Sequence, residues 1–125
     1  MNKYPFELFE SIAVARLISL LIFSDGEVDR QESDFFEQVL QNMNVSSEDY
    51  EHSLFEPINH SFEIVKSMSA KKRQQCLMLF RQTVYSDKVI EFSELSRLNE
   101  ILEKTEIFRP DKENFKNTDD GFVNL

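Results

Sequence analysis

Apolar residues fall along the chain in blocks separated by short polar turns, and the spacing inside each block is helical. From Ile12 to Phe23 only Arg16 and Ser19 interrupt an apolar run, the mark of a helix wrapped by others rather than lying on a surface. The pattern predicts that this helix begins near Pro5, a residue favoured in a first turn, and runs to about Phe23. Ser24-Asp25-Gly26 ends it, with Gly26 suited to the left-handed C-terminal position. A second helix follows from an N-cap at Asp29, with Glu32 completing a capping box, and its buried stripe is Phe35, Phe36, Val39, Leu40 and Met43.

Asn44 closes the second helix, and Ser46 or Ser47 opens a short third one that reaches about Phe55. Pro57 marks a break, and a further short helix is expected over Phe62 to Met68. Ser69 then caps a long helix from Ala70 to Tyr85, whose half from Cys76 onward is strongly apolar. After the turn at Ser86-Asp87, a last helix is predicted from about Phe92 to Lys104, with Leu95, Leu98, Ile101 and Leu102 along one face. Ser93 is a better N-cap for it than Glu91.

The chain repeats itself at an offset of 62 positions, which carries Asp25 onto Asp87. In that register Leu17 meets Leu79, Ser24 meets Ser86, Glu32 meets Glu94 and Leu40 meets Leu102, while Asp29 and Glu91 keep their charge. Gly26 against Lys88 and Glu27 against Val89 break the match, so the two turns need not share a backbone. Two units that each carry one over-hydrophobic helix can satisfy each other by packing those helices together. The expected fold is therefore all-α, a duplicated helical bundle with two central helices related by pseudo-twofold symmetry. Its helical domain covers residues 1–107, with repeat one at about 6–68 and repeat two at about 69–107, and residues 108–125 form a C-terminal tail.

Composition agrees with the helices: 2 Gly and 3 Pro in 125 residues leave little punctuation for β-turns, against 12 Phe for a core. Charge narrows the partners. With 14 Lys and Arg against 23 Asp and Glu, the net charge of −9 repels nucleic acid and anionic lipid and suits a basic protein or a cation. The one basic run, Lys71-Lys72-Arg73, has no glycine-rich loop or interleaved aromatics and is expected to be a solvated helix face. Cys76 stands alone in an apolar run and is expected in the core, and no membrane-spanning segment or secretory leader is apparent, which makes the cytoplasm the expected location. Phe108, Phe115 and Phe122, at intervals of seven, suit either a strap over the bundle or a segment that docks on a partner or a second copy of the chain.

Candidate chemistry is concentrated in the two acidic turns. Asp29 and Glu32 are what a helix N-terminus asks for, whereas Asp25 and Asp87 lie at helix C-termini, where the dipole disfavours an anion. That makes Asp25, Asp29, Glu32, Asp87, Glu91 and Glu94 the candidate binding surface. A calcium EF-hand is excluded, because its first and third ligand positions would fall on Leu21 and Phe23. A looser carboxylate site for calcium, magnesium or manganese, built from Asp25, Glu32, Asp87 and Glu94, stays open, although the fold requires no cofactor. His52 and His60 have no i+4 histidine partner and read as ordinary surface or packing residues, and no catalytic serine, cysteine or phosphate-loop pattern is present.

The segments Ile22-Phe23-Ser24-Asp25-Gly26-Glu27-Val28-Asp29-Arg30-Gln31-Glu32, Met43-Asn44-Val45-Ser46-Ser47-Glu48 and Val84-Tyr85-Ser86-Asp87 with Glu94 resemble the tellurite-resistance TerB-like domain. In that family each of two helical repeats has an Asp-Gly-x-apolar turn followed by a downstream Glu. The resemblance covers roughly residues 8–106 and departs at Lys88, where the second turn lacks its glycine. It implies a duplicated helical domain without established catalysis, working in stress or tellurite-resistance systems beside a membrane-associated protein partner. Carried over by position, the family's acidic residues are Asp25, Glu32, Asp87 and Glu94. The leading expectation is a non-enzymatic acidic interaction module, and the alternative is a divalent-cation binding or sensing domain on the same carboxylates.

Overall fold

The computed structural model describes residues 3–23, 30–85 and 92–107. Over these residues the protein is all-α: α1 Leu8–Ile22, α2 Arg30–Asn42, α3 Ser47–Ser53, α4 Ile58–Lys66, α5 Ala70–Val84 and α6 Phe92–Lys104. The acidic turns at 24–29 and 86–91, the phenylalanine tail at 108–125, and the expectations placed on Gly26, Asp29 and Glu91 lie outside the described residues.

Local chemistry explains most of the helix boundaries. Ser46 and Ser69 cap α3 and α5, each with its hydroxyl accepting an N–H three residues on, from Asp49 at 3.0 Å and Lys72 at 3.2 Å. Two boundaries differ from the sequence expectation. The first helix starts at Leu8, not Pro5, because the Glu10 carboxylate reaches back to accept the Glu7 N–H at 2.8 Å and closes the terminus there. The fourth starts at Ile58, since Pro57 stands as its N-cap; proline cannot continue a helix but is well placed to begin one. Ser93 lies inside α6 and is not its N-cap.

The helix bounds recur at the sequence offset of 62. Helices α1 and α5 have 15 residues each, α2 and α6 have 13 each, and all four start and stop at matching positions. Their exits also correspond. Asn44 (φ 59°) and Glu106 (φ 55°) both take the left-handed conformation. In each exit the next residue donates back five positions, Val45 to Leu40 and Ile107 to Leu102, both at 2.9 Å. This is the Schellman arrangement, and its apolar clasp is present twice, because Val45, Leu40, Ile107 and Leu102 are all buried.

Centrality is less evenly shared than expected. Helix α1 packs against all five others, while the principal contacts of α5 are with α1 and α6. The core forms around α1, with Val14, Leu17, Ile18 and Leu21 fully enclosed beside Phe80, Val84 and Ile101. On α2 the buried stripe is Phe36, Val39, Leu40 and Met43, with Phe35 only partly covered. On α6 it is Leu98, Ile101 and Leu102, with Leu95 at the edge.

The basic run is not a solvated face. Lys72 places its ammonium 2.7 Å from the Glu10 carboxylate, and Arg73 donates to the Lys66 and Met68 carbonyls at 3.0 and 3.4 Å. Arg73 thus ties the end of α4 and the following turn to the start of α5, and only Lys71 of the three is fully exposed.

Candidate functional site

Of the six acidic residues singled out in the sequence, Glu32 and Glu94 are described; Asp25, Asp29, Asp87 and Glu91 lie outside. Glu32 and Glu94 stand third in α2 and α6, where the helix dipole favours a carboxylate. Their surroundings differ. Glu32 is half-buried and Glu94 only 4% exposed, and each has a partner within the chain. Glu94 therefore sits inside the fold instead of on an open acidic face. Among the described residues no three of His, Cys, Asp and Glu converge as a metal ion would require.

A different surface is formed where three helices, α1, α3 and α4, meet. Helix α1 contributes Phe9, Ile12, Ala13 and Arg16, spaced zero, three, four and seven and hence along one face. Helix α3 adds Asp49, His52 and Ser53, the α3–α4 turn adds Glu56, and α4 adds His60, Ser61 and Ile64. Between them lies a groove of about 390 Å³. Its floor is apolar, from Phe9, Ile12, Ala13 and Ile64, and its α3 lip is acidic. Residues 46–57 hold Glu48, Asp49, Glu51 and Glu56 and no lysine or arginine.

Arg16 holds the groove together. It is 8% exposed, and its Nη1 donates to the Ser53 carbonyl at 2.7 Å and the Glu56 carbonyl at 3.1 Å. Those carbonyls sit at the end of α3 and in the turn beyond it, where helix C-terminal oxygens lack intrahelical donors and the dipole is negative. A buried cation thus finds its compensation in backbone oxygens, and α3 is pinned to α1. The Ser53 hydroxyl donates to the Tyr50 carbonyl and tightens the same end. At the far lip, His60 Nδ1 lies 2.9 Å from Glu56 Oε1 with both side chains exposed.

Exposed apolar side chains lie next to the lining residues in sequence. Leu8 and Phe9 open α1, and Leu54 and Phe55 fill the α3–α4 turn, with Phe55 89% exposed. Large exposed aromatics beside a concave surface are the usual sign of a contact site. Catalytic pairings are not formed here: among the described residues no hydrogen bond joins Ser53 or Ser61 to either histidine. Cys76 is remote from such chemistry too. Burial, and secondarily the charge of Glu10, push its thiol up to about 12, and its Sγ lies 3.8 Å from the Met68 sulfur. A thiol so placed keeps its proton at neutral pH.

No family model, curated protein or solved structure matches the chain. The sequence pattern does not reveal the groove: in it Arg16 is a charge inside an apolar stretch, and His52 and His60 have no histidine partner at helical spacing. The available signal was a lone cation on a helix otherwise fit for the core, since such a charge needs a partner from elsewhere in the fold.

Proposed function

We propose that this chain is a non-enzymatic, acidic protein-interaction module of the TerB-like kind, working in a stress-response or membrane-associated assembly. The observation that carries this reading is the groove between α1, α3 and α4, with its apolar floor, acidic lip and exposed Phe9 and Phe55. Such a surface supplies buried anchors and a charged rim, the division of labour found in protein interfaces. A net charge of −9 would steer a basic partner towards it.

The TerB-like assignment draws support from the matching bounds of α1 and α5 and of α2 and α6, and from the doubled Schellman exits. It also draws on the Glu10–Lys72 contact. The two residues are 62 positions apart and so occupy equivalent places in the repeat. Equivalent residues touch only near the axis that relates two copies, which is what a pseudo-twofold bundle requires.

The test is photo-crosslinking in native lysate from a benzophenone residue at Phe55, with wild type and a Phe9→Ser variant. Specific adducts that the variant loses support the reading; an unchanged set of adducts removes the groove as the interface. The cation alternative is separated by a thermal-shift series over calcium, magnesium and manganese. Saturation at one hundred times the dissociation constant would add about 2.7 kcal/mol. A rise that Asp25→Asn and Asp87→Asn abolish would favour the cation reading over this one.

A further inference from the structure

We infer that the α1/α3/α4 groove is a docking site for a basic amphipathic helix presented by another protein, an inference that rests on the interaction reading and specifies the partner's chemistry. Three features select this occupant. The first is shape. The α1 wall, from Phe9 to Arg16, covers two turns, or about 10 Å at 1.5 Å per residue. A helix laid in the groove would present anchors at i, i+3 or i+4, and i+7 over that length, the usual spacing of helix-in-groove recognition.

The second is charge. The lining itself holds two carboxylates, Asp49 and Glu56, and the rest of α3 and its turn adds Glu48 and Glu51, both exposed, with no lysine or arginine. Arg16 is the only lysine or arginine in the lining, and its Nη1 is already bonded to two backbone carbonyls. Glu56 already meets His60 at 2.9 Å, so the charge left to answer an occupant is negative and centred on Asp49, and lysines or arginines flanking the anchors would meet it. An acidic helix would face like charge at Asp49 and Glu56.

The third is the extent of the apolar surface. Phe9 in the lining, and Leu8, Leu54 and Phe55 next to lining residues in sequence, are each more than half exposed. A small molecule seated in about 390 Å³ would leave Leu8, Leu54 and Phe55 in water. A helix that continues past the groove covers them, and Phe9 and Phe55 become its aromatic anchors.

The probe is a designed Leu-Lys amphipathic peptide of about 16 residues, long enough to form a helix on contact. It is compared by fluorescence anisotropy with its Leu-Glu counterpart and with a scrambled Leu-Lys sequence of the same composition. The full chain is used, and amide chemical shifts report where the peptide sits. The expected result is binding of the patterned Leu-Lys helix at least about tenfold tighter than either comparison peptide, with shifts on α1, α3 and α4. Phe9→Ser and Asp49→Lys should each weaken it by about fivefold or more, while Phe92→Ser, a change at a still more exposed phenylalanine on α6, should not. Since Phe9 is 57% exposed, its loss leaves the fold intact, and a thermal melt checks this.

Equal binding of the scrambled peptide would reduce the effect to bulk charge and overturn the inference. So would tighter binding of the Leu-Glu helix, or shifts confined to other helices. Groove shifts that follow protein concentration without peptide would make a second copy of this chain the occupant and also overturn it. If the peptide fails while Phe55 still crosslinks a protein in lysate, the helix chemistry falls and the interaction reading stands. If both fail, both fall.

Discussion

Replacing Arg16 with methionine keeps an unbranched stem of similar reach and removes the charged head, so it isolates the clamp between α1 and α3. The head makes two hydrogen bonds to carbonyls, at 2.7 and 3.1 Å. Hydrogen bonds to charged groups contribute about 1.5–3 kcal/mol each. The lower value applies here, because the groove lets water reach the abandoned carbonyls, giving about 3 kcal/mol lost. Releasing a guanidinium that is 8% exposed returns part of its desolvation cost, about 1 kcal/mol. The net expectation is a destabilisation of about 2 kcal/mol, or roughly 8 °C in Tm for a domain of this size. Arg16→Lys should recover about half, since one ammonium cannot fork two carbonyls with the guanidinium's geometry. Urea unfolding measures the global loss, and hydrogen exchange shows where it falls. Protection of the α3 amides should drop more than that of α5. A loss below about 0.5 kcal/mol with α3 protection unchanged would refute the clamp, because two part-buried charge-assisted bonds contribute more than that.

Glu106→Gly should stabilise by about 0.5–1 kcal/mol, because Glu106 sits at φ 55° and its exposed contact with Lys66, at 3.5 Å, is worth little. The matching Asn44→Gly should be nearly neutral, since asparagine tolerates that conformation, and chemical denaturation of the two variants side by side decides it. Lys72→Met combined with Glu10→Gln in a double-mutant cycle should give a coupling of about 1 kcal/mol, as the pair is largely enclosed and Glu10 also holds the N-terminus of α1; a coupling near zero would make the contact incidental. The raised pKa of Cys76 carries a pH signature. The folded chain keeps the thiol proton after the unfolded chain has lost it, so this contribution is whole below pH 9.0 and is lost as pH rises towards about 12. Stability against pH for wild type and Cys76→Ala should therefore diverge only above that point, with wild type falling faster; parallel curves would refute the burial argument.

Where a signal was local, the sequence was enough. Ser46 and Ser69 cap helices because a side-chain oxygen reaches an N–H three residues away, and Asn44 exits α2 because its own side chain tolerates a positive φ. The bounds of α6 follow from its apolar spacing and not from a cap at Ser93, and the apolar run around Cys76 marks it as core. The starts of α1 and α4 were misplaced because proline admits two local readings. Pro5 suits a first turn, yet the Glu10 carboxylate fixes the start of α1 at Leu8. Pro57 marks a break, yet it is also the N-cap of α4.

Candidate chemistry divides along the same line. Acidic residues can be counted along a chain, but their exposure cannot, and Glu32 and Glu94, equivalent in the repeat, end half-buried and buried. Lys72 gave no sign from its neighbours that its charge would be spent on Glu10, 62 residues away. The groove was further out of reach, since its walls come from three helices and the acceptors of Arg16 lie 37 and 40 residues from it. Periodicity fixes which residues share a face of one helix. Which faces meet, and which charge is buried between them, depends on how side-chain volumes pack across the bundle, and that is decided only when α1, α3 and α4 come together.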